Sequence, residues 1–286
     1  MAPQSSPTVK RRRLAAELRR YREASRLTIE QVAERLEWSS GKISKIENAR
    51  VSVLPRDVKF LLGVYDVDEG PERELLLALA KESRQRGWWQ QYGDAVPEWL
   101  GVYIGLESEA TSVSSYHGEY VTGLLQTPDY ARAVHRATLI RATDQEIDQI
   151  VQVRIARQER LDAPDAPQLW VVLNEAVIRR MVGSRAIMHD QLQRLAAASQ
   201  ARNIMLQVLP FTAGAHPAMD SPFRILGFKE SADADIVYVE YATGSLYLER
   251  PPEVARYRLM FDHLRAAALP VDETRRLLTR AVEELA

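Results

Sequence analysis

Residues 27–47 constrain the fold of this chain more than any other stretch. Ile29, Val32, Ala33 and Leu36 fall at i, i+3, i+4 and i+7, one stripe of a short helix. Three residues later Ser39 stands where a second helix would take its N-cap. That helix buries Ile43 and Ile46 and turns Ser40, Gly41, Ser44 and Lys45 outward. Two short helices joined by so tight a turn need further helices to complete a core. A free face of small polar and basic residues can enter a DNA major groove. The competing reading is a generic helical bundle.

The flanking sequence supplies the further helices. Leu14, Leu18 and Tyr21 form one stripe, and Val58, Leu61, Leu62 and Tyr65 another behind Pro55. Pro71 opens a fifth helix with Leu75, Leu76 and Leu79. Residues 10–86 therefore read as a five-helix all-α domain. Residues 1–9, with Pro3 and Pro7, read as a disordered tail. Lys10, Arg11, Arg12 and Arg13 read as a basic arm tracking phosphate or the minor groove.

Charge is divided the same way. Residues 1–65 hold 14 Lys and Arg against 7 Asp and Glu, leaving 24 against 32 of the chain's 38 and 39 for the rest. A basic head on an acidic body suits a phosphate-facing module joined to something that is not one. A solvated basic face is the plain alternative. With no cysteine, disulfides and thiolate metal sites are excluded. No apolar run nears the roughly 20 residues of a membrane helix, and a cytoplasmic protein with no membrane partner is expected.

The composition shifts at Gly87-Trp88-Trp89, and residues 87–286 read as a second domain. Residues 97–111 form a helix. Thr127-Pro128 caps another, and Thr143 with Glu146 makes a capping box for a third. Five short runs then have strand character: Leu169–Leu173, Met205–Leu209, Phe223–Gly227, Ile236–Tyr241 and Ser245–Leu248, the last two joined through Thr243-Gly244. Residues 188–202, 252–268 and 271–285 return to helix. This is an α+β domain, a small sheet with several helices.

Chemistry leaves few marks there. The histidines are His117, His135, His189, His216 and His263, none at a metal-ligand spacing, and no nucleophile, phosphate-loop or dinucleotide motif occurs. No catalytic residue, metal or cofactor is expected, and the chain does not read as an enzyme. His216, in a Gly-Ala-His-Pro loop after a strand, offers a ligand contact or an ordinary turn histidine. Trp88, Trp89, Trp99 and Tyr103 could wall a ligand or partner pocket with it, or simply pack in a core.

By residue spacing the N-terminal domain resembles the Xre (Cro/C1-type) helix-turn-helix regulators. The resemblance places DNA contacts at Ser39, Ser40, Gly41, Lys42, Ser44 and Lys45. It makes Arg22 and Glu47 a structural ion pair. Arg26, Glu37 and Ala49 stand where glycine is usual after the first three helices. Gly123-Leu124-Leu125-Gln126-Thr127-Pro128, with Trp88-Trp89, Asn174-Glu175 and Gly214-Ala215-His216, resembles the uncharacterised domain attached to actinobacterial regulators of this class. That resemblance implies a sequence-specific transcription regulator, homodimeric on double-stranded DNA. Its second domain would sense a small-molecule effector or, antitoxin-like, clamp a small partner protein encoded nearby.

Overall fold

A computed structural model describes residues 7–229 and 235–286. The chain divides into two compact units, residues 1–90 and 91–286.

In the first unit, helix α1 spans Pro7–Ala24, α2 Ile29–Leu36, α3 Ser40–Glu47, α4 Pro55–Val64 and α5 Pro71–Glu82. Leu14 and Leu18 of α1, Val32 and Ala33 of α2, Ile43 and Ile46 of α3, Leu61 and Leu62 of α4 and Leu76 and Leu79 of α5 close one core. The stripe periodicity thus turns directly into burial. Thr28 starts α2 with a capping box: its hydroxyl accepts from the Gln31 amide while the Gln31 side chain accepts from the Thr28 amide.

Helices α1 to α4 end alike. Leu27 N–H donates to Arg22 C=O, Trp38 to Ala33, Arg50 to Lys45 and Val67 to Leu62, each the long bond of a Schellman turn. The turns place Arg26, Glu37, Ala49 and Asp66 at φ 56°, 53°, 54° and 53°, the left-handed region where glycine is the unstrained residue. The first three lie where a glycine was missed in the sequence; Asp66 adds a fourth.

Two expectations fail at the N-terminus. Residues 7–9, placed in a disordered tail, are helical, and only 1–6 of that tail lie outside the described residues. Arg11, Arg12 and Arg13 do not form an extended arm. Pro7 fits a helix first turn and Lys and Arg are good helix formers, so the basic run joins α1 behind Leu14 and Leu18. All three arginines are half-buried with interactions of their own. Lys10 Nζ pairs with Glu82 of α5 at 2.5 Å.

The second unit is built on a six-stranded mixed sheet in the order β3-β2-β1-β4-β5-β6. The strands are β1 Ser112–His117, β2 Gln168–Asn174, β3 Ile204–Leu209, β4 Phe223–Gly227, β5 Ile236–Tyr241 and β6 Gly244–Leu248. β1, β2 and β3 run parallel, and the other pairs are antiparallel. β1, at the centre, was not read from the sequence. Helix α6 (Glu98–Glu109) precedes it; α7 (Pro128–Thr138) and α8 (Asp144–Gln158) connect β1 to β2; α9 (Glu175–Arg179) and α10 (Arg185–Ala198) connect β2 to β3; α11 (Pro251–Ala267) and α12 (Val271–Glu283) follow the sheet.

The register assigns each side chain to a face. Val171, Ser115, Arg224, Tyr238 and Tyr247 are paired across the strands and share one face; Val172, Tyr116 and Phe223 share the other. Helix α11 covers the second face: Phe261 meets Trp170 and Phe223 edge-on, with ring centroids 5.9 and 6.5 Å apart. α6 covers the first, where Tyr103 lies 4.3 Å from Tyr238 by ring centroids. The β3 edge is bridged: Val208 N–H donates to the Thr274 hydroxyl of α12 and Leu269 N–H to Val208 C=O.

Candidate nucleic-acid interface

Helix α3 and the turn before it offer polar groups outward. The Ser39 hydroxyl accepts from Lys42 N–H at 3.2 Å and fixes the helix start. Ile43, Ile46 and Glu47 are buried, while Ser39, Ser40, Gly41 and Lys45 are exposed. Gly41 has open space beyond its Cα, so backbone can approach another surface closely there.

Two expected contact residues are already engaged. Lys42 Nζ sits 3.2 Å from the centre of the Trp38 ring and 3.2 Å from Asp57 Oδ2 of α4, which holds its charge against the domain. Ser44 is half-buried, and Asn48 Nδ2 donates to its carbonyl at 2.7 Å and to its hydroxyl at 3.3 Å. Beside the α3 face the structure exposes Arg50 and Arg56, basic residues the sequence reading did not single out. Neither belongs to an apolar stripe, so only the course of the chain after α3 marks them.

Behind α3, Arg22 holds Glu47 with two nitrogens: Nε donates to Oε1 at 2.8 Å and Nη2 to Oε2 at 2.9 Å. Nη1 donates to Leu27 C=O at 2.8 Å. The Arg22 pKa is raised by the hydrogen bond to Glu47, against the opposing effect of burial. One guanidinium thus ties the end of α1, the turn after it and the end of α3.

The model of a helix-turn-helix domain matches residues 13–76, and that of the domain of unknown function DUF5753 matches residues 100–280, more than half of the chain. The chain belongs to the DUF5753 family. The helix-turn-helix domain suggests a DNA-binding regulator. No curated protein and no solved structure matches the chain.

The residues expected around a pocket are dispersed, and only Tyr103 and His216 fall within the DUF5753 match. Tyr103, on the α6 side of the sheet, is fully buried, and its hydroxyl donates to Glu107 at 2.5 Å. Burial, followed by the charge of Glu107, raises its pKa well above the usual phenol value. His216 lies with Tyr116, on the α11 side: its Nε2 is 3.2 Å from the Tyr116 hydroxyl and its Nδ1 accepts from Ala218 N–H at 3.3 Å. Burial lowers its pKa. Trp99 lends its backbone carbonyl to the Tyr247 hydroxyl at 2.7 Å. Trp88 and Trp89 fall in the first unit, their rings edge to face at 6.0 Å. The sheet itself therefore separates Tyr103 from His216. A cleft in the second unit, about 520 Å³, is lined instead by Tyr92, Pro128, Arg132, Val151 and Ile155 among others.

No described helix is long and apolar enough to cross a membrane, and no described cluster of His, Asp and Glu could hold a metal ion.

Proposed function

We propose that this chain is a sequence-specific transcription regulator of the Xre (Cro/C1) type, binding double-stranded DNA as a homodimer through α3. The observation that supports it most is the division of α3 into a buried Ile43–Ile46–Glu47 side and an open Ser39–Ser40–Gly41–Lys45 side. Serine hydroxyls bond phosphate or several base edges and specify weakly; Lys45 adds charge. Exposed Arg50 is placed to contact phosphate, while Lys42 is held by Asp57, which also lies 3.6 Å from the exposed Arg56. Affinity then rests largely on phosphate contacts and falls steeply with salt. In a homodimer the two α3 helices engage half-sites one turn, about 34 Å, apart.

The DUF5753 region is the regulatory part in this reading, with no catalytic step and a cytoplasmic setting. The resemblance to actinobacterial antitoxin-like regulators allows two roles for it, sensing a small effector or clamping a small partner protein. Co-purification of a small stoichiometric protein favours the clamp; release of DNA on adding a metabolite favours the sensor.

Genome-wide mapping of bound sites followed by anisotropy titration on a mapped site tests the assignment. The S40A/K45A double variant is expected to bind at least about tenfold more weakly, with its circular dichroism unchanged because both side chains are exposed. Wild-type affinity in that variant would overturn the assignment of α3.

A further inference from the structure

The sheet face under α6 and α8 carries more buried positive charge than it balances. Arg154, Arg157 and Arg224 are partly withdrawn from water there, the side chains of Arg157 and Arg224 only 9% and 13% exposed. Arg157 is matched: its Nε and Nη2 donate to Glu107 Oε1 and Oε2 at 2.7 and 2.8 Å, and this outweighs burial to hold the Glu107 pKa below its ordinary value. Arg224 donates to Glu240 at 3.3 Å and stacks over Tyr103 and Tyr238. Arg154 has no carboxylate. Its Nη1 donates to the neutral Gln126 Oε1, and its Nε has no partner. Burial, and next the charge of Arg157, bring its pKa down to about 10. The counter-charge it feels is the longer-range field of Glu240, which Arg157 and Arg224 share, and a guanidinium withdrawn from water with so little compensation costs several kcal/mol.

Buried polar atoms near these arginines that also lack partners include Ser115 Oγ, His117 Nε2 and His135 Nε2. Ser115 pairs in register with Arg224, and His117 follows it on the same face of β1. Burial lowers the pKa of both histidines, and the charge of Arg154 lowers both further. Each of the three can donate a hydrogen bond, as Arg154 Nε does. Water could satisfy the hydrogen bonds but not the charge.

The chain around Arg154 is itself rigidly held. Gly123 packs on its guanidinium stem. Gln158 Nε2 donates to Gly123 C=O and Gln126 C=O, both at 2.8 Å. Gln191 accepts from Thr127 N–H and donates to Leu125 C=O. The Gly123–Pro128 segment, distinctive in the sequence, thus serves to hold Gln126 against Arg154.

We infer that Arg154, Arg224, Ser115, His117 and His135 form an anion site that takes the phosphate or carboxylate group of a small molecule. A bound anion completes the charge balance and supplies acceptors for these unpartnered donors. The inference rests on the regulator reading only in making this anion an effector.

Thermal unfolding of the full-length chain tests it, at ionic strength held constant with sodium chloride, as sodium phosphate or sodium succinate replaces part of the chloride. One of the two is expected to raise Tm saturably, with one site per chain by calorimetry, and whichever does so identifies the head group. R154L is expected to lose the response while keeping or raising Tm without added anion. S115A removes a hydroxyl that has no partner, so its Tm stays and the anion binds about tenfold more weakly; it carries the test alone if R154L does not fold. A Tm that follows ionic strength only, or a full response in the folded variants, would overturn the site. DNA takes no part in the measurement, so failure of the site and failure of the α3 assignment are read separately.

Discussion

At the residue scale, stability of the first unit is concentrated in a few positions. Ala49 holds φ 54° without glycine's freedom, at a cost of about 1 kcal/mol. A49G is expected to stabilise the chain by about that amount in urea unfolding, because the Schellman bond it sits within is already made. E47A is expected to do the opposite: it strands the Arg22 guanidinium, only 12% exposed, and costs about 3 kcal/mol by the same measurement. In the second unit His117 and His135 set an acid limit. Burial and then neighbouring arginines lower both pKa values in the fold, that of His135 to about 3. The unfolded chain therefore binds protons first, near its ordinary histidine value of about 6.5, and stability is full above that pH and falls as pH drops below it. Each histidine contributes a slope of at most about 1.4 kcal/mol per pH unit. H135Q is expected to flatten the fall in Tm between neutral and mildly acid pH; an unchanged slope would exclude His135 as a source.

At the element scale, the helices were legible because their cores are local. A stripe at i, i+3, i+4 and i+7 names its own buried face, and Val32, Ala33, Ile43 and Ile46 occupy the positions the periodicity gave them. The β5–β6 hairpin was legible for a similar reason, a run rich in Val, Ile and Tyr turning at Thr243. Strand β1 was not. Ser112-Val113-Ser114-Ser115-Tyr116-His117 is polar by composition, and its place at the centre of the sheet follows from pairing with β2 and β4, more than fifty residues away. Ser115 fits because its face is occupied by arginine chemistry and not by a purely apolar layer; Ser112 and Ser114 lie on the other face. The basic run at 10–13 misled in the other direction, since charge suggested an arm where helix propensity and Leu14 and Leu18 made a helix. A capping test follows for α2. T28A removes one half of a reciprocal box and is expected to cost about 1 kcal/mol, read as a lower urea midpoint with an unchanged slope.

At the scale of the whole molecule, the charge split has a consequence for DNA binding that no single contact carries. Residues 1–90 hold 18 Lys and Arg against 13 Asp and Glu, and residues 91–286 hold 20 against 26. A basic unit tethered to an acidic one attracts a polyanion less than the basic unit would unaccompanied, because the two fields oppose one another at long range. The opposition is screened over about 30 Å at 0.01 M salt but within about 10 Å at 0.1 M. The contacts proposed for the α3 face are far shorter than either length and would survive in both conditions. Full-length protein is therefore expected to discriminate a mapped site from random DNA better at low salt than a charge-neutralised version of its own second unit would allow. Replacing four exposed acids of α12 and its surroundings, Asp272, Glu273, Glu283 and Glu284, by glutamine and asparagine tests this. Affinity for random duplex is expected to rise at low salt and to converge with wild type near physiological salt, while affinity for the mapped site changes less at both. An equal rise for both DNAs at both salt concentrations would show that the acidic residues meet DNA directly and do not act through the long-range field.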